Sequence, residues 1–313
     1  MEEETRRSQP RRPQEKPPMI GLFGSTGYVG SRFRALFERH GLAWAPLRRP
    51  PSFDVADVRE VLAEANVSCV INCAGFTGKP NVDACETQKA ACLMGNAVLP
   101  GVLRDACESM DIPWGHVSSG CIFTGRRPDG AGFREDDAPN FSFRQDNCSY
   151  YSGTKALGEE MLDGAERCYV WRLRIPFDNT TSPRNYLQKL LAYDRLLEAE
   201  NSLSDLDEFV AACVDCLRRE LPYGIYNLTN PGSVWTSEVT ALLRASGVTD
   251  KQFKFFDSEA EFMALAAKTP RSNCVLDSTK AVRAGLRLTP VVAAIERRLH
   301  SWARSEAPSV LAS

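Results

Sequence analysis

A short apolar run, Met19–Phe23, ends in Gly24-Ser-Thr-Gly27-Tyr-Val-Gly30, and a helical pattern begins at Tyr28. Val29, Phe33, Leu36 and Phe37 share one side of that helix, and Gly41 is a fitting stop. A strand that turns through glycine straight into a helix opens a βαβ unit, which commits the following strand to a parallel sheet. The glycines have separate uses: one makes the tight turn, one lets backbone approach a pyrophosphate, and one lets helix and strand pack closely. The free N–H groups and positive dipole end of the helix then face the phosphates. Gly24, Thr26, Gly27 and Gly30 are therefore candidate cofactor contacts; a tight turn holding nothing is the plain alternative.

The pattern repeats downstream. Strands are expected at 43–47, 69–72, 113–118 and 169–175, separated by helices at 55–65, 82–94, 96–110 and 151–162. Residues 120–148, rich in Gly, Pro, Asp and Asn, read as a long loop. Alternation of this kind predicts an α/β fold, a Rossmann-type doubly wound parallel sheet with helices on both faces. After Pro176 the pattern loosens, with helices at 186–197, 206–220 and 237–246 and a strand at 225–228 that rejoins the main sheet. The expected organisation is a disordered tail over 1–18, a dinucleotide-binding domain over 19–175 and a smaller C-terminal substrate-binding lobe over 176–313.

Composition excludes several classes. Lys plus Arg is 38 and Asp plus Glu is 40, a net charge of −2, which speaks against nucleic acid as partner. No run approaches the roughly 18 apolar residues of a membrane span. Eleven scattered cysteines read as reduced thiols of a cytoplasmic protein. Cys213 and Cys216 form a lone C-x-x-C in a helical pattern; no second ligand pair accompanies it, so no metal site is expected.

The second strand ends at Leu47-Arg48-Arg49, where an acidic residue would suit an adenosine ribose. Arg48 and Arg49 suit a 2′-phosphate instead, which favours NADPH over NADH; solvated surface arginines are the other reading. Ala74 and Gly75, after the third strand, are small enough to lie against a dinucleotide. Tyr151-Ser-Gly-Thr-Lys155 places a phenol and an amine on one helix face. A lysine ammonium beside the phenol is expected to lower a pKa that starts near ~10, making it a usable proton donor or acceptor. Ser119, at the end of the fourth strand, could hydrogen-bond a substrate carbonyl beside it.

Together these motifs resemble the extended short-chain dehydrogenase/reductase superfamily. More closely, the chain resembles the 4-dehydrorhamnose reductases and the bifunctional nucleotide-rhamnose synthase (3,5-epimerase/4-reductase) group. The resemblance is carried by NCAGFTGKPNVDACE (72–86), SSGCIF (118–123), GFREDDAPNF (132–141), YSGTKALGEE (151–160), SPRNYLQK (182–189), GIYNLTNPG (224–232) and PRSN (270–273). It implies an enzyme that inverts C3 and C5 of a nucleotide-4-keto-6-deoxyglucose and then reduces the C4 ketone with NADPH. The family assigns the epimerisation to a cysteine and a lysine, which match Cys121 and Lys189 here. The simple reductases carry a tyrosine at the Cys121 position and an acidic residue at the Gly120 position.

By the same resemblance, Arg184, Asn185 and Arg271 fall near the nucleotide-sugar, and Asn96 falls at a helix position whose amide supports the site. The bland readings are core packing for Cys121, a solvated helix lysine for Lys189, surface arginines, and a capping asparagine. A 4-dehydrorhamnose reductase without epimerase activity is one alternative function. Another is a non-catalytic dinucleotide-binding regulatory subunit, against which the intact Ser119, Tyr151 and Lys155 argue. The segment 141–150 is longer than the pattern, the nucleotide stays open between UDP and dTDP, and a homodimer is compatible with the group.

Overall fold

The computed structural model describes residues 18–79 and 81–306, with side chains up to 302. The tail expected over 1–18 lies outside the described residues, Pro18 excepted. The chain runs β1 (Ile20–Phe23), α1 (Tyr28–His40), β2 (Trp44–Leu47), α2 (Val55–Ala65) and β3 (Cys69–Asn72). It continues with α3 (Lys89–Leu93), α4 (Leu99–Ser109), β4 (Trp114–Ser119), α5 (Tyr150–Glu160), β5 (Cys168–Leu173), α6 (Tyr186–Ala192) and α7 (Leu206–Arg218). The central sheet has six parallel strands in the order β2, β1, β3, β4, β5 and Gly224–Asn227. From β1 the chain builds outward to β2, then crosses back to β3 on the other side. The crevice at the carboxyl ends of β1 and β3 is therefore the topological switch point, where such sheets bind ligands.

Burial on both faces follows from period-two alternation. Ile20 and Leu22 face a core with Phe33 and Phe37 of α1 and Phe209 and Val214 of α7. Phe23 faces the opposite core with Val58 and Leu62 of α2 and Leu99 and Leu103 of α4. In β5, Tyr169 and Trp171 join the first core while Cys168 and Val170 join the second. A third core gathers Leu187 and Leu190 of α6, Val239 and Leu243 of helix Thr236–Ala245, and Ile295, Leu299 and Trp302 of helix Val291–Glu306.

Local structure departs from the pattern in three places. The helix expected over 186–197 stops at Ala192, and Arg195–Leu196 instead pairs in parallel with Lys254–Phe255. The strand expected to reach 175 ends at Leu173, before Ile175 takes a φ of +39°. The helix expected over 82–94 divides into a 3-10 turn, Val82–Glu86, and α3, and Met94–Val98 is a π-helical stretch before α4. π-Bulges of this kind frequently mark functional sites, and this one carries Asn96.

Candidate active site

At the carboxyl end of β1, Gly24 takes a φ of +76°, and a Cβ there would meet the Ala74 amide nitrogen at 2.6 Å. The turn after β1 thus lies directly against the turn after β3. A Cβ on Gly30 would strike the Gly24 carbonyl at 2.1 Å, so α1 packs onto the turn only with glycine there. Gly27 differs, since a Cβ on it would meet only the Gly24 oxygen, at 3.3 Å. It opens α1 with no side-chain cap and no acidic residue in the first turn, leaving the leading N–H groups for an anion. Thr26 and Gly27 line a cleft of about 430 Å³ whose other wall is Thr180, Ser182 and Arg184. Gly75, in the turn after β3, is exposed. At the end of β2, Arg48 pairs with Glu64 at 3.2 Å and the Arg49 guanidinium lies over the Phe53 ring; both arginines are exposed. The turn, free of side chains and opening on helix N–H groups, fits a dinucleotide pyrophosphate.

The strand ends and α5 bring the chemistry together. Ser119 closes β4, and its Oγ accepts the Cys121 N–H at 3.2 Å, capping the 3-10 turn Gly120–Ile122. Cys121 packs with Ile122, Phe123, Phe133, Ala156, Cys274 and Leu276, and the Tyr151 ring lies against this cluster. Ser149 caps α5 through the Ser152 N–H, and Glu86 accepts the Tyr150 N–H at 2.7 Å, so the first turn is held from two sides. Phe143, in the long 141–150 segment, lies where any side chain on Gly153 would go; that segment braces the turn bearing Tyr151.

The electrostatics differ from the sequence expectation. Burial pushes the Tyr151 phenol well above its usual range, with Cys121, Cys85 and Cys92 adding to this, and the opposing cation is Arg184. The phenol is therefore held as a neutral donor. Lys155 turns inward instead: its Nζ donates to the Val117 carbonyl at 3.2 Å and meets His116 Nε2 at 3.3 Å. Burial lowers the Lys155 pKa.

Cys121 and Lys189 are driven in opposite directions. Burial pushes the Cys121 thiol up, against the Ser119 hydrogen bond and the charges of Arg174 and Lys155. Burial lowers the Lys189 amine, helped by the neighbouring charges of Arg184 and Arg271. The charge of Arg184 acts on both Tyr151 and Lys189, lowering the pKa of each.

The remaining candidates are engaged by the protein itself. Arg184 Nη2 donates to the Gly78 carbonyl at 2.8 Å, and Arg271 forms an ion pair with Asp83 at 2.6 Å. Arg184 thus holds Gly78, and Arg271 holds Asp83. Asn185 is fully buried; its Nδ2 donates to Asp178 and Thr180, and its Oδ1 accepts from Asp178 and Leu187. It shapes the loop leading into α6. Asn96 clamps Phe76, accepting its N–H and donating to its carbonyl, both at 2.8 Å, and also donates to Thr154 of α5.

Sequence reasoning passed over two further residues. Asp83 is the partner of Arg271, 188 positions away in the sequence. His116 sits behind Lys155; a lone histidine inside an apolar strand two residues before Ser118 was the available signal.

The sequence matches the RmlD substrate binding domain family over residues 19–303. It is 35% identical over 268 residues to a bifunctional dTDP-4-dehydrorhamnose 3,5-epimerase/dTDP-4-dehydrorhamnose reductase of Arabidopsis thaliana, covering 83% of this chain and 85% of that one. The fold is similar to the L780 UDP-rhamnose synthase of Acanthamoeba polyphaga mimivirus, with a TM-score of 0.83 at 24% identity over 91% of this chain and 99% of that one. It is also similar to a dTDP-4-dehydrorhamnose reductase of Bacillus anthracis in complex with NADP, with a TM-score of 0.75 at 16% identity over 94% and 100%.

Proposed function

This chain belongs to the RmlD substrate binding domain family, and from that premise we propose that it makes a nucleotide-rhamnose. It epimerises a nucleotide-4-keto-6-deoxyglucose at C3 and C5 and then reduces the C4 ketone with NADPH. The reading is supported by the bifunctional relative and the UDP-rhamnose synthase likeness. The observation that carries it is the place of Cys121, in the turn that Ser119 caps and in the cluster against which the Tyr151 ring packs.

C3 and C5 both flank the ketone, so each C–H can be lost to give an enolate. Lys189 takes the proton. The charge gathered on O4 is met by the Ser119 hydroxyl and the Tyr151 phenol, and Cys121 returns a proton from the other face. Each inversion leaves an ammonium and a thiolate, and transfer of one proton between them through the cleft resets the pair. Bound NADPH would supply a hydride for C4, and the Tyr151 phenol, kept protonated by burial, gives its proton to O4. The free state of all eleven cysteines supports a reducing, cytoplasmic setting.

The test incubates the protein with NADPH and either UDP- or dTDP-4-keto-6-deoxyglucose, without added epimerase, and identifies the sugar by NMR. A rhamnose product from one nucleotide supports the reading and names the nucleotide. If only ready-made 4-keto-rhamnose is reduced, the reductase without epimerase activity replaces it.

A further inference from the structure

Arg174 follows β5 and is buried, 6% exposed. A buried guanidinium is costly unless an anion answers its charge. Arg172, two residues earlier, has its anion: Glu159 binds it at 2.7 Å. Among the described residues no carboxylate pairs with Arg174, and its partners are neutral. Its backbone N–H donates to Ser204 Oγ, and Nη2 donates to Asn201 Oδ1 at 2.7 Å and to the Ser272 carbonyl. Nε is buried and meets no hydrogen-bond acceptor among the described residues.

The side chain runs along the 3-10 turn that bears Cys121. At one end, a Cβ on Gly120 would lie 3.4 Å from Arg174 Cδ. At the other, Ser272, whose carbonyl holds Nη2, donates its hydroxyl to the Phe123 carbonyl. Cys121 lies between these two attachments. The other ionisable groups facing its thiol are Tyr151 and Lys155 of α5, Cys148 before α5, and Cys274, whose Sγ donates to the Gly120 carbonyl. None of them is a carboxylate. On its far side Arg174 faces Tyr186 of α6. Lys155 Nζ is already engaged by the Val117 carbonyl and His116, which leaves Arg174 as the cation with its charge unanswered.

We propose that Arg174 is a positioning residue of the epimerisation: its guanidinium is the counter-cation for the Cys121 thiolate that remains once the thiol has given its proton to the sugar carbon. The S–H bond breaks, a C–H bond forms, the electron pair stays on sulfur, and Arg174 keeps all its protons. A guanidinium suits the task because it stays charged at any working pH. Its charge goes unmet in the resting protein and is met as the thiolate forms, so the interaction favours the transfer rather than the ground state. The inference rests on Cys121 as the proton donor of the proposed reaction.

Alkylation of Cys121 by iodoacetamide, a small neutral reagent, reads the thiolate without substrate or turnover. The rate at the Cys121 peptide is followed by mass spectrometry from about pH 6.5 to 10.5. Arg174→Met keeps an apolar stem and removes the charge, whereas Arg174→Lys keeps the charge. On the rising limb Met is expected to react about tenfold more slowly, its midpoint lying about one unit higher, and Lys within about threefold of wild type. A loosened turn would change the rate at every pH and leave the midpoint in place, and that result in Arg174→Met overturns the inference.

Deuterium exchange at C3 and C5 gives the second arm. Met is expected to lose about tenfold, and Lys to recover most of it. Loss in both variants alike would reduce Arg174 to holding Asn201 and Ser272, and would overturn the inference. Exchange missing from wild-type protein would instead remove the epimerase reading, while the alkylation profile still decides whether Arg174 and the Cys121 thiolate are paired.

Discussion

At the residue scale, the proposed reaction uses two kinds of proton transfer, and single substitutions should separate them. Tyr151→Phe deletes one hydroxyl and keeps the ring against the Cys121 cluster. Reduction of supplied 4-keto-rhamnose should fall roughly 10²–10⁴-fold, as measured by NADPH oxidation. Wild-type protein in D₂O, given 4-keto-6-deoxyglucose nucleotide without NADPH, should place deuterium at C3 and C5. Cys121→Ala and Lys189→Met should each lose part or all of this exchange in a proton NMR time course. Cys121→Ala should cost on the order of 1 kcal/mol in stability. A residue serving only packing would show that cost and leave exchange per folded molecule intact.

At the scale of the element, the β1 turn and α1 show that three glycines need not be equivalent. A Cβ on Gly30 would overlap the Gly24 carbonyl, whereas one on Gly27 faces the cleft with a single contact at 3.3 Å. Gly30→Ala should therefore lower Tm as well as cofactor affinity. Gly27→Val should leave Tm nearly unchanged while titration calorimetry shows NADPH binding lost, because the side chain occupies pyrophosphate space. At the end of β2, Arg48→Ala with Arg49→Ala should weaken NADPH much more than NADH. Equal weakening of both would remove the 2′-phosphate assignment.

The whole molecule is held together where its cores meet. Asp205 is fully buried at the start of α7, accepts the Asp207 and Glu208 N–H groups, and is gripped by Arg298 and Arg297 of the last helix. Burial pushes its carboxyl up, but the Arg298 bonds and charge outweigh this and hold its pKa below the usual value. A lowered folded pKa means the stabilisation is present above the unfolded carboxyl value, near ~3.9, and lost as pH falls through the folded one. Asp205→Ala should cost about 3–5 kcal/mol near neutrality, because it leaves Arg298 without this partner. In urea denaturation, the gap between variant and wild type should narrow as pH falls below about 4.

The sequence by itself determined what rests on neighbours in the chain. Glycine after an apolar run marks the β1 turn because only residues without a side chain fit there, and that demand is local. Strand and helix periods mark the parallel sheet because burial imposes them within a few residues. Tyr151 and Lys155 are legible as a pair because one helical turn sets their spacing. The tertiary structure decided what depends on contacts across the fold. It placed Gly224–Asn227 beside β5 and ended α6 at Ala192, where Leu196 pairs with Phe255 instead. It gave Arg271 to Asp83, and spent Asn185 on its own loop. It turned the Lys155 head toward His116, a contact across 39 positions. Such choices follow from which buried donors and acceptors find one another, because a buried polar group left unpaired is costly, and no spacing in the chain records which partner it meets.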